Sequence, residues 1–129
     1  MALSQARVAT AIPASDFERA KAYYRDTLGL KPSKETEDGA FYDCADGTWF
    51  VVFPSGGAAS GTHTQIGFHV PDIEAEVRDL KERGVVFEEY DYPDLKTVDS
   101  IATLGTERVA WWKDSEGNML SVWEIPAEG

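Results

Sequence analysis

Residues Val8 to Gly29 and Thr64 to Gly84 follow a single plan: a short apolar strand, a Pro or Ser with an Asp, an amphipathic helix and then a glycine. Asp16 matches Asp72 at an offset of 56 residues, and the same offset pairs Ile12 with Phe68, Phe17 with Ile73 and Tyr24 with Leu80. Neither copy of such a unit can bury its apolar face alone, so the two must pack on each other, and the concavity they leave is the expected seat of function. At 129 residues the chain reads as one domain, 1–129, with unit one at 6–54, a Gly-, Ala- and Ser-rich linker at 55–62 and unit two at 63–126.

Within unit one, Arg7 to Ile12 predicts a strand that Pro13 breaks. Ser15 and Glu18 have capping-box spacing for a helix whose Phe17, Ala20, Tyr24 and Leu28 share one face. Three strands follow near Lys31 to Glu37, Ala40 to Cys44 and Thr48 to Phe53, because Asp38-Gly39 and Asp46-Gly47 are hairpin-turn dipeptides. Unit two repeats the scheme with a strand at His63 to Phe68 and a helix from Asp72 to Arg83 that stops at Gly84. Val85 to Tyr90 reads as a strand and Tyr92 to Leu104 as a long loop plus a strand. Arg108 to Lys113 and Asn118 to Ile125 flank the turn Asp114 to Gly117. The closing strands repeat at an offset of 70, so 14 extra residues fall in Tyr92 to Leu104, a place for a lid or a specificity element.

Composition narrows the function classes. Twelve basic against 23 acidic side chains give a net charge of −11, which repels a phosphate backbone, so no nucleic-acid partner is expected. The same acidity favours neutral or cationic small molecules. Cys44 is the single cysteine, which leaves no internal disulfide or thiolate cluster and fits a reducing cytoplasm. Cys44 has no nearby His or basic residue in sequence and reads as an inert thiol. The densest apolar run, Trp49 to Phe53, is far too short to span a bilayer, and Met1 to Gln5 lacks a basic stretch before an apolar core, so neither export nor a membrane partner is expected.

With IPASDFERAKAYYRDTLGLKP in the first unit and AWWKDSEGNMLSVWE closing the second, the chain resembles the vicinal oxygen chelate superfamily. That group includes glyoxalase I, extradiol dioxygenases, fosfomycin-modifying enzymes and bleomycin-binding resistance proteins. The resemblance implies an α+β fold in which tandem βαβββ units form a curved mixed sheet around a cup, with the helices on the outer face. It also implies a homodimer. Metal-bearing members place ligands on the first and last strands of each unit, which here implies Ala9, Gln65, Val51 and Ser121. A methyl and an isopropyl group carry no donor, and Gln65 and Ser121 offer only neutral oxygens, so neither a metal nor another cofactor is expected.

Strand alternation predicts the inward set Arg7, Ala9, Ala11, Trp49, Val51, Phe53, His63, Gln65, Gly67, Met119, Ser121 and Trp123. The opposite parity, Val8, Ile12, Phe50, Val52, Ile66, Phe68, Leu120 and Val122, suits packing beneath the helices. Small residues facing Trp49, Phe53 and Trp123 describe either an aromatic-walled pocket or an interdigitated core. Arg7, His63 and Gln65 favour the pocket, since a dry interior would need partners for them. His63 reads as a ligand contact or an exposed strand end, and His69 sits at the strand's exit. The run Glu88 to Tyr92 is an acid–base pair or a solvated edge, with Tyr90 and Tyr92 able to contact a ligand. One of Trp111 and Trp112 faces the cup, and alternation does not say which.

These residues predict a metal-independent small-molecule binding protein, and the resemblance to the bleomycin-binding resistance members implies that it sequesters an aromatic or bulky ligand such as an antibiotic, through Arg7, Ala9, Trp49, Val51, Phe53, His63, Gln65, Tyr90, Trp111, Met119, Ser121 and Trp123. The alternative is a lyase, isomerase or dioxygenase-like enzyme with a metal at non-standard positions or with acid–base groups at His63, Glu89 or Asp91.

Overall fold

The computed structural model describes residues 3–5, 8–57 and 59–124. In the first unit, β1 (Thr10–Ala14) leads into α1 (Phe17–Asp26), then β2 (Lys34–Thr36), β3 (Gly39–Asp43) and β4 (Trp49–Pro54). In the second, β5 (Thr64–His69) leads into α2 (Ile73–Glu82), followed by β6 (Asp91–Tyr92), β7 (Leu95–Val98), β8 (Ile101–Leu104), β9 (Glu107–Lys113) and β10 (Met119–Glu124). Four strands in the order β1-β4-β3-β2 form one mixed sheet, and six in the order β5-β10-β9-β8-β7-β6 form the other. The tandem α+β architecture is thus present as two open sheets, with β1 lying beside β5.

The repeat persists at the level of hydrogen-bond register. Both helices are ten residues long and begin after an Asp N-cap: Asp16 accepts from the Arg19 N–H at 3.0 Å, and Asp72 accepts from the Ala75 N–H at 3.2 Å. In the first sheet Ala11, Ile12 and Pro13 lie opposite Val51, Val52 and Phe53; in the second, their counterparts Gly67, Phe68 and His69 lie opposite Ser121, Val122 and Trp123. The parallel ladders β1–β4 and β5–β10 therefore superimpose residue for residue, except for a bulge between Met119 and Leu120.

The apolar parity packs as the alternation predicts. Ile12, Val52 and Leu120 are fully buried, and Ile66 and Phe68 pack against the same cluster with Ile73 and Val77 of α2. Phe50 joins the units, its ring stacked on Tyr42 at 5.0 Å and edge-on to Phe68 at 6.0 Å. Val8 departs from the expectation: it is 87% exposed, because it precedes the first ladder pair and no helix covers it.

Several boundaries differ for identifiable reasons. Pro13 lies inside β1 and does not end it, since β1 is the outer strand of its sheet and a missing N–H there breaks no ladder bond. Asp16, not Ser15, caps α1, and the Ser15 hydroxyl donates instead to Glu116 Oε1 at 3.1 Å. The β2–β3 turn is Glu37-Asp38, with Gly39 already paired to Thr36, whereas Asp46 and Gly47 do adopt positive φ between β3 and β4. Val85 to Tyr90 is not a strand, and Phe87 makes a single bridge to Trp112. Beyond it, Tyr92 to Leu104 holds two strands where the sequence predicts a long loop plus one strand, folding back as β7 and β8.

The β7–β8 turn rests on a carboxylate. Asp99 (φ 51°) and Ser100 (φ 75°) both occupy the left-handed region, an unusual pair for side-chain-bearing residues. Glu89 accepts from the Ser100 N–H at 3.2 Å, the Ser100 hydroxyl at 2.7 Å and the Thr97 hydroxyl at 2.7 Å, and these bonds hold its carboxyl below the usual carboxylate range. Because Ser100 is buried, Glu89→Ala orphans a buried N–H and hydroxyl and is expected to cost ~1–2 kcal/mol, read from the urea midpoint. An unchanged midpoint would mean that the turn is self-supporting.

Candidate functional site

The concave face of the second sheet is built from alternating large and small side chains. Trp111 lies opposite Ser121, and Trp123 lies opposite Val109, on the antiparallel strands β9 and β10. Gly67 continues the Ser121 row onto β5, and His69 continues the Trp123 row. The two indoles are thus diagonal neighbours with a serine and a glycine beside them. Around this floor is a shallow hollow of about 320 Å³ lined by Thr64, Gly67, Glu107, Val109, Trp111, Ser121 and Trp123.

Packing holds the walls in place. Trp123 stacks on His69 with ring centroids 4.4 Å apart, and Trp111 meets the Tyr90 ring edge-on at 5.7 Å. Tyr90 in turn lies 6.2 Å from Tyr92, and burial pushes its phenol above the ordinary value. The Ser121 hydroxyl donates to the Ile66 carbonyl at 3.4 Å. A Cβ at position 67 would stand 3.2 Å from Ser121 Oγ and from the Trp123 indole, so the glycine is what keeps the floor low.

The structure therefore resolves the Trp pair. Trp111 faces the hollow, while Trp112 lies opposite Leu120, is 2% exposed and packs edge-on against Phe87 at 5.5 Å. Of the other candidate residues, Arg7 lies outside the described residues. Trp49, Val51 and Phe53 share one face of β4, half-buried, with Trp49 5.9 Å from Phe41, and with Ala9 just ahead of β1 they form a separate patch on the first sheet. His63 is exposed ahead of β5, its Nδ1 3.2 Å from Thr62 Oγ1. Gln65 is half-buried beside the bulge, and Met119 is buried without lining the hollow. Thr64, Glu107 and Val109 were not among the predicted residues. Glu107 and Val109 share the parity of Trp111, so knowing which tryptophan turned inward would have found them.

A metal does not suit the side chains at the positions where the resemblance implies ligands. Ala9 and Val51 have no donor atom, and the Ser121 hydroxyl is buried and bonded to a carbonyl. Among the described residues no group of three His, Cys, Asp or Glu side chains is arranged to hold a metal ion. Nor do the alternative acid–base residues converge: Glu89 is engaged by the β7–β8 turn, while His63 and Asp91 are exposed at the ends of other strands.

A larger cavity of about 1090 Å³ lies on the opposite face of this sheet, between α2 and the outward residues Lys96, Val98, Ile101 and Thr103 of β7 and β8. It exists because a ten-residue helix cannot cover a six-stranded sheet, and none of the candidate residues lines it.

The sequence profile of the Glyoxalase/Bleomycin resistance protein/Dioxygenase superfamily matches residues 6–121. The chain belongs to this superfamily. Among solved structures, UcmS2 matches with a TM-score of 0.72 at 19% identity, over 92% of this chain and 97% of that one. Oxidase ChaP-H2 matches with a TM-score of 0.66 at 20% identity over 95% of each chain. TnmS3, an antibiotic binding protein from Streptomyces sp. CB03234, matches with a TM-score of 0.60 at 20% identity, over 93% of this chain and 96% of that one. No curated protein sequence matches the chain. At these identities the likeness is one of fold, and the superfamily's scaffold supports several chemistries as well as binding. Among the described residues no helix is long and apolar enough to cross a membrane.

Proposed function

We propose that this member of the superfamily binds a flat or bulky organic molecule, such as an antibiotic, in the hollow of its second sheet, without a metal and without turnover. The observation that carries the reading is the low Gly67-Ser121 floor beside the diagonal pair Trp111 and Trp123. Diagonal neighbours on paired strands lie ~7–8 Å apart. That is about twice the ~3.5–4 Å contact distance between carbon atoms, so the spacing admits one planar ring system between two indoles. TnmS3, which shares the fold, is itself an antibiotic binding protein. The cytoplasm, the homodimer and sequestration as a resistance mechanism belong to the same proposal.

Acridine, a neutral three-ring heteroaromatic, is a suitable probe by equilibrium dialysis. Trp123→Ala is expected to weaken its binding by ~1–3 kcal/mol, or about 5- to 150-fold, the loss of one stacking wall. Equal affinity in the parent and the variant would remove the hollow from consideration.

A further inference from the structure

Resting on the binding reading above, we infer that the hollow selects organic cations: flat ligands that carry a protonated amine or a ring nitrogen bearing positive charge. Among the described residues lining the hollow, Glu107 is the one charged side chain, exposed at the start of β9 on the same face as Trp111. It forms no salt bridge with a described residue, although its chain neighbour Arg108 is close by in sequence. Arg108 belongs to the opposite face, where Glu74 at 2.7 Å and Glu124 at 2.9 Å hold it.

Among the described residues, the cations nearest this face are engaged elsewhere. Lys113 is six residues further along β9, ~20 Å away at the rise of a strand, and lies 3.9 Å from Glu88. Lys34 sits over the Phe41 ring of the other sheet at 5.8 Å. The ring stacked behind Trp123 is that of His69. A ligand in the hollow therefore meets two electron-rich indole rings and a carboxylate that no described residue pairs, inside the field of a chain with net charge −11. All three favour positive charge.

The test compares three ligands with one tricyclic frame: 9-aminoacridine, a cation at pH 8; acridine, neutral; and acridine-9-carboxylate, an anion. Measured by equilibrium dialysis at pH 8, 9-aminoacridine is expected to bind three- to tenfold tighter than acridine, and the carboxylate weakest. In Glu107→Gln the ratio of the first two affinities falls toward one, and in Glu107→Lys the carboxylate overtakes the cation. Asp94→Asn, on the far side of the sheet, leaves the ratio as it is. Salt at 0.5 M narrows the ratio in the parent alone. Equal binding of all three ligands, each weakened by Trp123→Ala, would overturn the cation preference while leaving the binding reading intact. Binding of none of them overturns both.

Discussion

Replacing Asp114 by alanine is expected to destabilise the protein by ~3–5 kcal/mol, a large share of a small domain's margin. Asp114 is 6% exposed, and its two oxygens accept four bonds: from the Tyr24 hydroxyl at 2.8 Å, the Asn118 side-chain amide at 3.0 Å, and the Glu116 and Asn118 N–H groups at 2.9 Å each. Tyr24 belongs to α1 of the first unit and is 1% exposed, so the carboxylate ties the second unit's last turn into the first unit's core. Removing it leaves the buried Tyr24 phenol and the buried Asn118 N–H without acceptors, each costing ~1–3 kcal/mol, while the Asn118 side-chain amide keeps the Pro13 carbonyl. Tyr24→Phe deletes one of the four bonds and should cost about a third as much. Urea unfolding of both variants decides the matter, and a loss below ~1 kcal/mol for Asp114→Ala would show that the packing of the units does not depend on this turn.

Acidification should remove a second contribution from the same turn. Glu116, its side chain 1% exposed, accepts from Arg19 Nε at 2.7 Å, the Asp16 N–H at 2.8 Å and the Ser15 hydroxyl at 3.1 Å. Arg19 foremost, then the Asp16 N–H and the serines, outweigh burial and hold the carboxyl at about 2, down from 4.5. A carboxyl lowered in the folded state adds stability that is fully present above its unfolded value and lost as pH falls through the folded one. The contribution is therefore complete near pH 5 and gone near pH 2. The full shift corresponds to ~3 kcal/mol, and ~2 kcal/mol once screening at the half-exposed Arg19 is allowed for. Glu116→Gln should lose that amount at pH 7 and flatten the stability curve between pH 5 and 2. A curve as steep as the parent's would assign the acid sensitivity to other carboxylates. Glu124 is one such group, lowered first by the Ile73 N–H at the start of α2 and then by Arg108.

Much of the fold was legible because duplication compares the chain with itself. The offset of 56 holds at both ends of the two helices, and the offset of 70 holds at both ends of β4 and β10. Alternation along those strands separated core from concave face, since one residue of register moves every side chain across a sheet. Propensity misjudged the edges. Pro13 reads as a strand breaker until its strand is known to be outermost, and Tyr92 to Leu104 reads as a long loop plus a strand because its tight turn uses Asp99 and Ser100 where glycine is the usual signal.

The site was less legible, and a single residue accounts for most of the difference. A turn at Asp114 to Gly117 leaves open which of Trp111 and Trp112 faces the cup. In the structure Asn118 belongs to the loop, so that Lys113 pairs with Met119 and Trp111 with Ser121. Asn118 is fully buried, its side-chain amide donating to the Pro13 carbonyl at 2.8 Å and to Asp114. The sequence by itself determined the two units, their helices and the apolar faces they share, because those follow from local spacing. Which tryptophan turned inward, with Glu107 and Val109 beside it, depended on an asparagine bonded to a strand 105 positions away, and only the tertiary structure could supply that partner.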